Sequence, residues 1–166
     1  MASVVTSAVV GSVFVRPALA RDRAMWEVMF DSYREAAGLP PDREISDRLW
    51  GWILDPNHQV QALVADDGLA LVGFAHYRRF PRPIMADECL YLDDLFTTVQ
   101  ARGRGVARAL LDHLVELRDL ESMAMLRWTT NPSNAAARKL YGTYGSIANS
   151  VTYNAALPNA PSPNAT

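Results

Sequence analysis

Two glycines, Gly103 and Gly105, stand between an apolar, strand-like run at residues 88–97 and the strongest amphipathic stripe in the chain. That junction limits the fold more than any other segment. Val106, Leu110, Leu111, Leu114, Val115 and Leu117 recur at helical spacing, so residues 105–117 predict a helix with one buried face. A second apolar run, residues 123–130, predicts a strand after it. Physically the junction is an anion site. The first turn of a helix has unpaired N–H groups at the positive end of the helix dipole. Gly103 and Gly105 let a phosphate approach the backbone, Ala107 is small, and Arg102 and Arg104 add charge. No Gly-Lys-Ser/Thr follows, so this is not a Walker loop, and the three-glycine dinucleotide fingerprint is also missing. A plain turn flanked by solvated arginines also fits these residues alone.

The rest of the chain mixes both kinds of element. Residues 12–16 read as a strand stopped by Pro17. Residues 21–37 and 45–54 read as helices, the first ended by Gly38-Leu39-Pro40-Pro41. Residues 59–65 and 69–77 read as strands joined by an Asp66-Asp67-Gly68 turn. Residues 78–83, with two prolines and three arginines, read as a loop. Asn131-Pro132-Ser133-Asn134 opens a further helix through Ala137, Leu140, Tyr141 and Tyr144, ended by Gly145, and residues 147–153 read as a last strand. The order β-α-α-β-β-β-α-β-α-β predicts an α/β (α+β) architecture: a mixed sheet with helices on both faces.

The length of 166 residues suits one domain, expected over residues 12–157, with a flexible start at 1–11 and a disordered tail at 158–166. Half the residues are apolar, enough for a core, and the net charge of −2 argues against a nucleic-acid partner. No apolar run approaches a membrane span, and Cys89 is the single cysteine, so a cytoplasmic protein without an internal disulfide is expected. His58, His76 and His113 are isolated, so no metal site is expected, and His113 is placed on the exposed side of its helix.

Arg102-x-x-Gly105-x-Ala107 resembles the Arg/Gln-x-x-Gly-x-Gly/Ala signature of the GNAT acetyltransferase superfamily. Tyr91-Leu92-Asp93-Asp94-Leu95-Phe96-Thr97 resembles the strand before that loop. Asn134-x-x-Ala137-x-x-Leu140-Tyr141 resembles the second motif, and the three occur in the family's order. The run Leu92–Phe96 and Trp128-Thr129 look most like the branch of polyamine and Hpa2-like acetyltransferases. One departure is Gly145-Ser146, where the family has Gly-Phe.

The resemblance implies a GNAT fold, a mostly antiparallel sheet splayed between two parallel strands, with acetyl-CoA as cosubstrate and no metal. It implies that the backbone of Arg102, Gly103, Arg104, Gly105, Val106 and Ala107 binds the pyrophosphate. Main-chain groups of Leu95, Phe96 and Thr97 would pair with the pantetheine arm, and Asn134 would bond to it. Tyr141 takes the general-acid position, protonating the thiolate; a phenol keeps its proton at neutral pH. Tyr141 also lies on an apolar stripe and fits an ordinary core role. An amine acceptor needs a base, for which Asp93 ranks first, Asp94 second and Glu88 third. In a regular strand Asp93 and Asp94 face opposite sides, and a bulge would re-aim them. A solvated or structural acidic pair, or one attracting a cationic substrate, fits too.

The activity implied is acetyl transfer to a primary amine of a polyamine, amino acid or lysine side chain, with homodimers common in the family. A GNAT-fold sensor that binds acetyl-CoA without transfer is the alternative. Arginines 78–82 offer a carboxylate site, and Trp26, Trp50 and Trp52 offer an aromatic acceptor wall, with core packing expected of at least one.

Overall fold

The structure, a computed structural model, describes residues 9–10 and 13–155. Among the described residues six strands lie in one sheet in chain order. They are β1 Val9–Val10, β2 Val13–Pro17, β3 Val60–Asp66, β4 Leu71–Arg82, β5 Asp87–Thr97 and β6 Leu126–Trp128. Every neighbouring pair is antiparallel except β5–β6, which is parallel. Helices α1 Arg23–Ala36 and α2 Arg43–Leu54 connect β2 to β3, α3 Val106–Leu120 connects β5 to β6, and α4 Ala135–Tyr141 follows β6. The segments expected to be flexible fall outside the described residues, apart from Val9–Val10, which pair with β2.

Period-two alternation assigns each helix a face. On one face Val15, Leu63, Ala75, Leu90 and Leu92 pack with Leu110, Leu114 and Leu117 of α3. On the other, Val64, Phe74 and Phe96 pack with Trp26, Met29 and Phe30 of α1 and Trp50 of α2. The expected mixed sheet with helices on both faces is present. Local chemistry sets the element ends. Asp42 caps α2 by accepting from the Ile45 N–H at 3.1 Å. Gly68, at φ 89°, turns the β3–β4 hairpin, and the Asp67 carboxylate accepts from the N–H groups of Leu69 and Ala70. Among the described residues no helix is long and apolar enough to cross a membrane.

Five expectations are corrected. Residues 78–83 are not a loop, because β4 runs on to Arg82 and pairs Arg78 to Arg82 with Tyr91 to Asp87. The partner β3 begins at Val60, opposite Arg78, so beyond it β4 has an open edge, where a proline such as Pro81 is tolerated. Residues 147–153 form no strand; Ala148, Asn149 and Ser150 break the apolar pattern, and Ile147, Val151 and Tyr153 stay exposed. The strand expected at 123–130 shortens to Leu126–Trp128, and the last helix ends at Tyr141, where Gly142 and the Thr143 hydroxyl, bonded to the Leu140 carbonyl, close it. His113 is buried, because it lines one wide face with Ala109, Leu110, Leu114 and Leu117. Its Nδ1 has no partner, and burial lowers its pKa.

Candidate active site

The β4–β5 register slips by one residue between His76 and Tyr77. His76 stands opposite Asp94 and Tyr77 opposite Leu92, which leaves Asp93 as the extra residue of a bulge. The slip changes the phase of β5. Leu90 and Leu92 point toward α3, and so does Leu95. Asp94 and Phe96 therefore turn to the α1 side, where an unbroken alternation from Leu92 would have put them with α3.

Asp94 meets two donors there. Tyr33 of α1 donates its hydroxyl to Oδ1 at 2.6 Å, and His76 Nδ1 lies 2.8 Å from Oδ2. Burial alone would raise the Asp94 pKa, but the bonds from His76 and Tyr33 hold it below the usual carboxylate range. Asp93 is treated differently. Its carboxylate meets Arg78 Nε at 3.1 and 3.2 Å, while that guanidinium lies over the Tyr91 ring at 4.7 Å. Burial raises the Asp93 pKa against the pull of Arg78. The bulge thus gives two adjacent carboxylates opposite proton affinities. Glu88 lies six positions back along β5, about 20 Å away at strand rise, and does not join them.

Beyond the bulge, β5 loses one neighbour. The parallel pairing with β6 ends at Leu92 and Trp128, whereas β5 continues to Thr97. Leu95, Phe96 and Thr97 still pair with β4, so only their β6-side edge is open. Thr97 Oγ1 is buried without a partner among the described residues. Trp128 meets Tyr141 of α4 edge-on at 5.5 Å. Tyr141 is half-buried, and burial raises its pKa. The charges of Asp94, Tyr141 and Asp93 also act on Tyr33, after its own burial, to raise its pKa. Asp93 and Asp94 follow Leu92, where the pairing with β6 ends, and Tyr141 packs on Trp128 at the same end of β6. Asn134 caps α4, its Oδ1 accepting from the Ala137 N–H at 3.2 Å.

The glycine loop sits at the end of the open edge. Ala101 and Val106 are buried and anchor it, while Arg102, Gly103, Arg104 and Gly105 are exposed. Gly103 and Gly105 take φ of 75° and 84°, which glycine adopts without strain, and a Cβ on either would meet nothing within 4 Å. Gly105 caps α3 with no side-chain bond, and the first turn bond runs from the Ala109 N–H to the Gly105 carbonyl. The N–H groups of Val106, Ala107 and Arg108 thus have no intrahelical acceptor.

A model of the acetyltransferase (GNAT) family matches residues 23–145. The chain belongs to this family. The GNAT chain is 26% identical over 125 residues to the D-amino-acid N-acetyltransferase HPA3 of Saccharomyces cerevisiae, covering 73% of this chain and 76% of that protein. Its fold is similar to that of a ribosomal-protein-alanine N-acetyltransferase from Brucella melitensis, with TM-score 0.74 and 25% identity, over 87% of this chain and 99% of the other. A more distant aminoglycoside acetyltransferase from a soil metagenomic sample, 12% identical, shares the fold alone at TM-score 0.72, over 87% and 96% of the two chains. GNAT enzymes use acetyl-CoA as cosubstrate. The residues here fit such a ligand: an uncovered glycine cradle, free first-turn amides and an unpaired strand edge with an orphan Thr97 hydroxyl.

Sequence reasoning gave no role at the site to Tyr33, His76 or Gly73, and offered Trp26 for an acceptor wall rather than as a partner of His76. Tyr33 sits on the apolar stripe of α1, which reads as plain core. His76 alternates with Phe74 in β4 and marks a polar group entering an apolar face, a signal that was legible. Trp26 and Trp50 are core, and Trp52 is exposed and stacked on His58, so no tryptophan wall forms.

Proposed function

We propose that this enzyme transfers the acetyl group of acetyl-CoA to a primary amine, on a small molecule or a lysine side chain. One observation carries the reading: the open edge of β5 runs from the tip of α3 to the end of the β5–β6 pairing, where Asp93 and Asp94 follow Leu92 and Tyr141 packs on Trp128. In this reading the amides of Gly103, Gly105, Val106 and Ala107 hold the pyrophosphate, those of Arg102 and Arg104 being already given to the Val99 and Ala101 carbonyls; the Leu95–Thr97 edge takes the pantetheine arm, and Asn134 bonds to that arm. Acetyl-CoA supplies an activated acyl group at the gap.

The residues then divide the proton work. Asp94, ionised, receives the cationic amine. Asp93, with the raised proton affinity, takes the proton, through water. The freed nitrogen lone pair attacks the thioester carbon, and as the amide bond forms and the carbon–sulfur bond breaks the nitrogen sheds its second proton to water. Tyr141 gives its proton to the departing thiolate and regains one from solvent, so the net products are the amide, the free thiol and the one proton held by Asp93. Arg78 is held by Asp93, and Arg79 by Glu121 and Gln61, so a carboxylate on the acceptor finds less to bind than residues 78–82 suggest. The compartment in this reading is the cytoplasm, and the single thiol, Cys89, is buried.

The test is a thiol-release screen with acetyl-CoA against polyamines, amino acids of both hands and lysine peptides. Amine-dependent release supports the reading. Acetyl-CoA binding with no release for any amine would favour a sensor.

A further inference from the structure

Behind Asp94 lies a buried chain of hydrogen bonds that the transfer reaction does not use. Trp26 Nε1 is 2.9 Å from His76 Nε2, His76 Nδ1 is 2.8 Å from Asp94 Oδ2, and the Tyr33 hydroxyl is 2.6 Å from Asp94 Oδ1. Trp26 is fully buried and His76 is 1% exposed.

The chain has one consistent proton assignment. An indole nitrogen only donates, so His76 Nε2 must accept and carries no proton. The single proton of the neutral ring is then on Nδ1 and is donated to Asp94. The tyrosine donates to the other carboxylate oxygen, because an ionised carboxylate only accepts. Protonating Nε2 would break the Trp26 bond and place a charge among Trp26, Phe30 and Phe74, whose rings lie 5.8, 5.7 and 4.5 Å from the imidazole. The same rings hold the imidazole plane.

We propose that His76 is a positioning residue, a neutral imidazole locked by Trp26 into its Nδ1–H tautomer, which fixes the Asp94 carboxylate at the gap to receive the amine. The amine part of this statement rests on the transferase reading; the lock does not. A histidine beside a carboxylate resembles a proton relay, but here Trp26 closes the relay at its far end. Asp94 keeps 26% of its side chain accessible, which leaves room for a donor from outside. The ionisable groups around the pair are Tyr33 from α1, Arg78 from β4, Asp93 from β5 and Tyr141 from α4. Arg78 is spent on Asp93, so no cation competes for Asp94.

The test uses the full chain and two readouts. Long-range proton–nitrogen NMR of the His76 ring at neutral pH reads which ring nitrogen carries the proton. The expected result is a protonated Nδ1 and a bare Nε2, with the Nε2–H tautomer becoming populated in Trp26→Phe. An Nε2–H tautomer in the wild type, or a tautomer balance unchanged in Trp26→Phe, overturns the lock. The second readout is steady-state kinetics with the best amine. His76→Leu should raise the amine KM about tenfold, the scale of one hydrogen bond to a charged group, at little change in the KM for acetyl-CoA. His76→Asn, which keeps a donor near the Nδ1 position, should restore most of that loss. Equal amine KM in His76→Leu and wild type would overturn the positioning role. A locked ring in a protein that acetylates no amine would support the lock and contradict the transferase reading.

Discussion

Tyr141 and the acidic pair carry the proton account, and each makes a separate prediction. Tyr141→Phe removes only the hydroxyl of a half-buried ring packed on Trp128. The turnover rate should fall about 100-fold, the usual scale for a lost general acid, with acetyl-CoA affinity unchanged by calorimetry. The two carboxylates should separate in steady-state kinetics. Asp94→Asn removes the fixed charge between Tyr33 and His76 and should act mainly through the amine KM. Asp93→Asn removes the more basic partner and should act mainly through kcat. The reverse pattern would exchange their roles. Tyr141 and the Asp93–Asp94 pair were legible because their motifs are local in sequence. Which carboxylate does what was not, since the answer depends on Arg78, His76 and Tyr33, from two other elements.

At the scale of elements, the site depends on how closely β4, β5 and α3 approach. Gly73 sets that approach. A Cβ there would lie 2.7 Å from the Phe96 carbonyl oxygen and 2.8 Å from Val106 Cγ1. Gly73→Ala must therefore push the open edge of β5 away from the tip of α3. It should cost about 1–3 kcal/mol in denaturant unfolding, the range for overpacking, and weaken acetyl-CoA binding as well. Loss of stability with unchanged affinity would show that the spacing does not matter for the ligand. The helix stripe of α3 and the Asp66-Asp67-Gly68 turn were legible because neighbours in sequence decide them. The bulge at Asp93, the run of β4 to Arg82 and the coil after Gly145 were not, because each depends on which strand lies alongside.

Across the whole molecule, acid should loosen the fold in two stages. His113 is buried with a lowered pKa, so the unfolded chain binds its proton more readily. Its contribution is full above about pH 6.5 and is lost as pH falls from there toward the folded pKa. Asp22, 1% exposed, accepts two bonds from Arg16 and one from the Leu19 N–H, and Arg16 helps hold its pKa down against the effect of burial. Its contribution is full above about pH 3.9 and is lost as pH falls through the folded value. Melting curves of the wild type should show Tm falling from pH 7 to 5 and again below pH 4. His113→Leu should abolish the first fall and leave the second. An unchanged first fall would assign it to another group.

The whole account needs one ligand to lie along the open edge of β5 and end at the tip of α3. Amide NMR during titration with acetyl-CoA reads that directly. The largest shifts should fall on Leu95, Phe96 and Thr97 and on Gly103 to Arg108, with smaller ones at Asn134 and Tyr141. Saturable binding that leaves both stretches unmoved, and shifts amides elsewhere, would contradict it.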